Sequence, residues 1–190
     1  MKVNIEHLKS ALKKEVSERR YLHSIGVAET GRKLAIKYGE DPEKAQIAGI
    51  LHDYTKYWPR DKLKEYIIKQ QELSKDILLY SEELWHGPVA SIVIQDIFKV
   101  RDIEIINAIR YHTSGREKMS LFEKILCLAD YIEPTRDYQG IDQIRIKAYE
   151  NINEALILAF DGTIQVLIRD SKKIYPLTLK ARNYLLDEIT

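Results

Sequence analysis

The sequence is poor in residues that break regular structure, with 8 Gly and 5 Pro among 190 residues, about 7% against roughly 12% in average usage. Few turns can be built from that supply, so long helices are expected. A single cysteine, Cys127, lies in the apolar run ILCLA. It excludes an internal disulfide and a Cys-type structural zinc site, and it reads as a buried residue in a reducing, cytoplasmic setting. The longest apolar run is ALILAF at 155–160, far below the ~20 residues of a membrane span. The N-terminal MKVNIEHLKSALKKEV lacks the apolar stretch of a signal peptide. Charge is not in excess either: 30 basic against 29 acidic residues give +1, which excludes holding nucleic acid by bulk charge. What is present, 45% hydrophobic and 31% charged residues, is a globular composition, and at about 150 residues per domain the length predicts one domain over 1–190.

Apolar spacing is helical nearly throughout, which predicts an all-α fold. Ile5, Leu8, Leu12 and Val16 mark a first helix, and a second is expected from about Tyr21 to Tyr38, stopped by Gly39. Asp41-Pro42-Glu43 combines a cap, a first-turn proline and an early acid, starting a third helix that runs towards Asp53. A helix from Pro59 to Leu73, a loop over SEELWHGP and a helix from near Pro88 follow. Asp102 caps the next, and Ser120 with Glu123 forms a capping box ahead of ILCLADYIE, which Pro134 ends. After the polar loop TRDYQGI, one long helix is expected from Asp142 to about Lys172, with Gly162 a break, then the connector KIYP and a last helix through Ala181, Tyr184 and Leu185.

Ionisable groups interrupt the apolar pattern at His23, His52-Asp53, His86, His112 and Asp130. Asp53 follows AGILH and Asp130 follows ILCLA, so both carboxylates emerge from runs that otherwise read as core. A buried unpaired carboxylate costs several kcal/mol or takes up a proton, and a cation removes that penalty. Two imidazoles and two carboxylates suit iron, manganese, zinc, nickel or magnesium. His7 reads as a surface residue of the first helix, and Arg20, Arg110 and Arg182 as ordinary surface charge.

The set His23, His52-Asp53, Asp130 resembles the minimal signature of the HD-domain metal-dependent phosphohydrolases, and Lys56 in HDYTK matches the common form of that motif. HDYTKYW at 52–58, HGPVAS at 86–91, the block from Ala108 to Asp142 and the helical C-terminal segment are similar to the bacterial YqeK family, which hydrolyses diadenosine tetraphosphate symmetrically. The resemblance implies an HD-type helical bundle with a motif-bearing core over about 18–136 and C-terminal helices over about 142–189 packed on it. It also implies that His23, His52, Asp53 and Asp130 hold a divalent metal ion, iron first, with manganese, nickel or magnesium as alternatives. A metal-bound water would attack an inner phosphorus, giving two ADP. Asp53, Lys56, His86 and His112 are the expected catalytic residues, with His86 or His112 as proton shuttle. Lys56, His86, His112, Thr113 and Arg136 would neutralise phosphate charge, and Lys173, Tyr175 and Thr178 of KIYPLT would touch substrate beside the metal ligands.

The expected partners are thus a dinucleoside polyphosphate and an ADP- or GDP-like product, with no membrane and no bulk nucleic acid. The apolar and aromatic supply of the helices allows a homodimer. Two other functions compete: an HD phosphohydrolase acting on a mononucleotide or guanosine alarmone, and a catalytically silent helical module binding nucleotides or a partner protein. Intact residues at all four ligand positions argue against the silent module, which has no need of them.

Overall fold

Most helices begin where a side chain can satisfy their first free N–H groups, each such cap contributing about 1 kcal/mol. The computed structural model describes residues 4–189; residues 1–3 and 190, the extremities of the expected domain, lie outside the described residues. Asn4 caps α1 (Ile5–Glu15), Ser17 caps α2 (Glu18–Tyr38), and Asp41 caps α3 (Pro42–Leu51), its carboxylate accepting from the amides of Glu43 and Lys44. Gly39, at φ 78°, takes the left-handed turn that ends α2. Next come α4 (Arg60–Lys69), two 3₁₀ turns at Asp76–Leu79 and Glu82–Leu84, α5 (His86–Ile97), and α6 (Ile103–Tyr111) capped by Asp102. The capping box of Ser120 and Glu123 opens α7 (Leu121–Ile132) with both of its hydrogen bonds made. α8 (Ile141–Glu150), α9 (Ile152–Arg169) and α10 (Pro176–Asp187) complete the fold, and no strand occurs among the described residues.

Four boundaries differ from the sequence reading. α2 starts three residues earlier than expected, at Glu18, and α4 ends at Lys69 rather than Leu73. Lys75 Nζ closes that end by donating to the carbonyls of Ile67, Gln70 and Leu73, so Leu73 is buried in a loop and not on a helix face. SEELWHGP is not one loop: Glu82–Leu84 is a 3₁₀ turn and His86 already belongs to α5. The long C-terminal helix breaks at Asn151, not Gly162. Asn151 is extended at φ −148°, and its side chain accepts from the amides of Asn153 and Glu154, a cap that makes a new helix cheaper than a continuous one.

α7 is the centre of the packing, buried from Phe122 to Ala129 and in contact with α2, α3, α6 and α9. Cys127 is fully buried there, and α10 packs on α9. The approach of α3 to α2 is unusually close. A Cβ on Gly49 would stand 2.5 Å from Ala28 Cα and 2.6 Å from Ala28 N, so only glycine fits. The two backbones touch, and His23 lies one turn before that contact while His52 lies one turn after it.

Candidate active site

Five helices deliver the site. His23 projects from the middle of α2, and His52 ends α3, leading Asp53 and Lys56 into a run of turns. Thr55 Oγ1 ties those turns to α5 by donating to the carbonyl of His86 at 2.9 Å. His86 is the first residue of α5, His112 the C-cap of α6, and Asp130 sits two residues before the end of α7. His23, His52, Asp53, His86 and His112 are buried, while the Asp130 side chain is 17% exposed.

Four atoms converge: His23 Nε2 lies 3.0 Å from Asp130 Oδ1 and 3.6 Å from Asp53 Oδ2, and His52 Nε2 lies 3.2 Å from Asp53 Oδ2 and 4.0 Å from Asp130 Oδ1. Ligands bonded at ~2.1 Å to one ion are about 3 Å apart when adjacent and about 4 Å when opposed. The ring orientations follow from the other nitrogens. His52 Nδ1 donates to the carbonyl of Gly49 at 2.7 Å, and His23 Nδ1 donates to Glu133 Oε1 at 3.0 Å, so in each neutral ring Nε2 is left as a bare acceptor. Neither Nε2 has a well-aligned hydrogen bond to a described residue. Bare acceptors aimed at carboxylates require positive charge between them, and this mixed nitrogen and oxygen set fits a divalent ion. Carbonyl and carboxylate partners on the far nitrogens are the outer support such ligands use.

The electrostatics express the same demand. Burial alone would raise Asp53 and Asp130, yet His52 and His86 hold Asp53, and His23 and Arg136 hold Asp130, well below the usual carboxylate range. Burial opposes charge on His23, but the neighbouring carboxylates of Asp130 and Glu133 outweigh it and draw the imidazole up. Burial pushes His86 down and His112 down to about 3, so both are neutral rings near pH 7. His112 Nδ1 donates to the carbonyl of Ile109 at 2.8 Å, which leaves its Nε2 an acceptor 3.0 Å from Thr113 Oγ1 and 3.1 Å from His86 Nε2. His86 Nε2 is also 2.9 Å from Asp53 Oδ1, while its Nδ1 faces Lys56 Nζ at 3.5 Å. His52, Asp53 and His112 form a second group of donor atoms within 4.8 Å of one another.

The basic residues sort differently from the sequence reading. Arg20 is no ordinary surface charge: its Nη1 lies 2.8 Å from Asp53 Oδ2. Arg110 and Arg182 are not free surface charges either, since Arg110 binds Glu72 and Ser91, and Arg182 binds Asp161 to join α10 to α9. Lys56 pairs with Glu83 at 2.5 Å, and Arg136 with Asp130 at 2.5 Å. Arg145 of α8 donates to the carbonyls of Ile132, Glu133 and Arg136, holding the turn that carries Arg136. His7 is exposed, edge-on to Phe98.

Sequence reasoning missed Arg20, Glu83 and Glu133. For two of them a signal existed: Arg20 precedes His23 by three residues and Glu133 follows Asp130 by three, the spacing of neighbours on one helix face.

A chamber of about 220 Å³ is lined by Arg20, Asp53, Lys56, His86, Thr113 and Arg136 among others. It shares Glu83, His112, Thr113, Asp130 and Arg136 with a cleft of about 1070 Å³ that runs along α9. Lys173, Tyr175 and Thr178 line that cleft and not the chamber. Lys173 is exposed, Thr178 is buried, and the buried Tyr175 gives its hydroxyl to Asp76. No described helix is long and apolar enough to cross a membrane.

Comparison with known proteins agrees with this arrangement. The HD domain family matches residues 20–135. A symmetrical bis(5'-nucleosyl)-tetraphosphatase of Bacillus subtilis is 39% identical over 183 residues, 96% of this chain and 98% of the relative. Another, of Halalkalibacterium halodurans, is 41% identical over 177 residues, 93% and 94% of the two chains. A crystal structure from Clostridium acetobutylicum, described as a predicted HD superfamily hydrolase involved in NAD metabolism, has a TM-score of 0.93 at 39% identity, covering 97% of this chain and 98% of that one. With the signature His23, His52-Asp53 and Asp130 brought together from α2, α3 and α7 and relatives aligned nearly end to end, the chain belongs to the HD-domain family, in its YqeK branch.

Proposed function

We propose that this protein cleaves diadenosine tetraphosphate symmetrically into two ADP. The observation that carries the reading is the convergence of His23, His52, Asp53 and Asp130 beside a small chamber lined by Asp53 and Asp130, which opens at Asp130 into the larger cleft, and full-length relatives named for this activity support it. These four residues would hold a divalent ion, iron first, with manganese, nickel or magnesium as alternatives. Such an ion supplies Lewis acidity to phosphate oxygens and an activated water near neutral pH.

The protein's own groups then have separable tasks. Around the donors, the carboxylates of Asp53, Glu83, Asp130 and Glu133 face the cations Arg20, Lys56 and Arg136, which leaves one negative charge. A divalent ion turns that balance positive, as a tetraphosphate requires. Lys56 and Arg136 oppose charge on the phosphates, an effect worth about 10²-fold in rate for one well-placed donor. His86 gives its Nε2 proton to Asp53 Oδ1, turning Oδ2 towards the two imidazoles, and is the proton-handling group nearest the donors. His112, kept neutral by burial, accepts the Thr113 hydroxyl at its Nε2 and packs edge-on against the ring of His86. The departing ADP is a stable diphosphate, so neutralising the breaking bond's charge matters more than protonating it.

The test is product identification with metal-loaded protein. ADP is expected as the only nucleotide formed from diadenosine tetraphosphate at early times. AMP with ATP in equal amounts would refute symmetrical cleavage, and turnover of nucleoside triphosphates alone would move the protein to another substrate class.

A further inference from the structure

A dinucleoside tetraphosphate has two chemically identical halves, so a site that cuts it in the middle lies between two nucleoside seats. The surroundings of the donors are not symmetrical. On one side the cleft runs along α9, lined by Leu158, Gly162 and Val166 at four-residue spacing and by Tyr138. Glycine inside a helix costs about 1 kcal/mol relative to alanine, and packing gives no reason for it here. A Cβ on Gly162 would meet nothing within 4 Å. What a side chain at 162 would occupy is the cleft itself.

The other side is narrower. The small chamber continues from the shared residues to Arg20 and Lys56, which the cleft does not reach. At about 220 Å³ it passes phosphates and leaves a base to emerge at the rim. Arg20 stands there 23% exposed, with more N–H groups than its bond to Asp53 uses. Next to it is Tyr57, whose ring is 53% exposed and whose hydroxyl is held by Ser17 Oγ at 3.2 Å.

We propose that the two halves of the substrate occupy unequal seats: one nucleoside lies along the cleft against the Gly162 face of α9, and the other is held at the rim, its phosphate on Arg20 and its base stacked on Tyr57. This assignment rests on the hydrolytic reading above. The cleft seat, the larger of the two, binds first and sets affinity. The rim seat contributes what one exposed aromatic ring contributes to a base, on the order of tenfold.

The experiment compares diadenosine tetraphosphate with adenosine 5'-tetraphosphate, which has only one nucleoside, on wild type, Gly162→Leu and Tyr57→Ala. Gly162→Leu, which melts no lower than wild type because its side chain meets open space, is expected to lower kcat/KM on both substrates at least 30-fold. Tyr57→Ala is expected to cut the preference for the dinucleotide over the mononucleotide about tenfold. Wild-type rates in Gly162→Leu, or an unchanged preference in Tyr57→Ala, overturns the proposal. If wild type hydrolyses neither substrate, the hydrolytic reading has failed, and a titration with adenosine followed by NMR decides the cleft seat alone. Shifts at the Leu158 and Val166 amides that vanish in Gly162→Leu support it, and no shifts in wild type overturn it.

Discussion

Arg136 is bound twice to Asp130: its Nη2 lies 2.5 Å from Oδ1, and its Nε donates to the backbone carbonyl at 2.9 Å. The same Oδ1 stands 3.0 Å from His23 Nε2. Arg136 therefore holds a proposed ligand in place besides offering charge to phosphate. Lys56 has no such tie, since its partners are the exposed Glu83 and the imidazole of His86.

The two cations consequently predict different phenotypes. Arg136→Ala is expected to weaken metal affinity 10–100-fold and to lower kcat/KM by more than 10²-fold. Lys56→Met is expected to keep its metal and lose about 10²-fold in kcat/KM, near 3 kcal/mol. Metal stoichiometry measured beside steady-state rates separates them. Near wild-type turnover in Lys56→Met would make it a surface cation.

His52→Ala and Asp53→Ala should each lose bound metal and nearly all hydrolysis while keeping the helical circular dichroism of the parent. Each removes one of four converging donors, and no described side chain stands in reserve except His112, whose Nε2 already accepts from the Thr113 hydroxyl. Full metal occupancy in either variant would sink the ligand assignment.

Glu133 offers a test at one remove. Its carboxylate takes the Nδ1 proton of His23 and is itself held by the amide and hydroxyl of Thr135. Glu133→Gln should reduce metal affinity 10–100-fold without touching the ion. Gly26→Ala should act in the same direction, because a Cβ there would come within 2.4 Å of Glu133 Oε2 and displace it. Chelator competition titrations give both constants, and unchanged affinity in the two variants would show that His23 needs no such support.

Away from the site, Asp102 links acidity to stability. Burial would raise its carboxyl, but Lys44 at 2.7 Å and the Glu104 amide at 2.9 Å outweigh it and hold it low. A carboxyl held below its unfolded value near 3.9 stabilises the fold above that pH, and the contribution is lost as pH falls through the lower, folded value. Asp102→Ala should therefore cost about 1 kcal/mol at pH 7, a Tm drop of roughly 2–4 °C. That difference should shrink as melts are taken to pH values below the unfolded value and through the lower, folded one.

The helices were legible where caps and breakers announce them, as at Asp41-Pro42 and in the box of Ser120 and Glu123. They were illegible where a residue acts through a local hydrogen bond that periodicity does not register. Asn151 splits a helix whose apolar pattern runs straight through it, while Gly162, the conspicuous breaker, sits in an intact helix. The site shows the same division. His23, His52-Asp53 and Asp130 stand out as charge in apolar runs. The partners that aim them do not, because Arg20 meets Asp53 across 33 residues and Glu133 meets His23 across 110. Only the fold creates those neighbours.

The main-chain contact at Ala28 and Gly49 has a consequence for which ion the protein carries. Because the backbones of α2 and α3 touch, the main-chain span between His23 and His52 is set by the scaffold, and the Nδ1 hydrogen bonds to Glu133 and Gly49 fix the rings on it. A cage with fixed walls does not remake itself around its guest. Occupancy is then decided by the intrinsic order of affinities among divalent ions and by supply, so the same frame will be filled differently in cells grown on different trace metals.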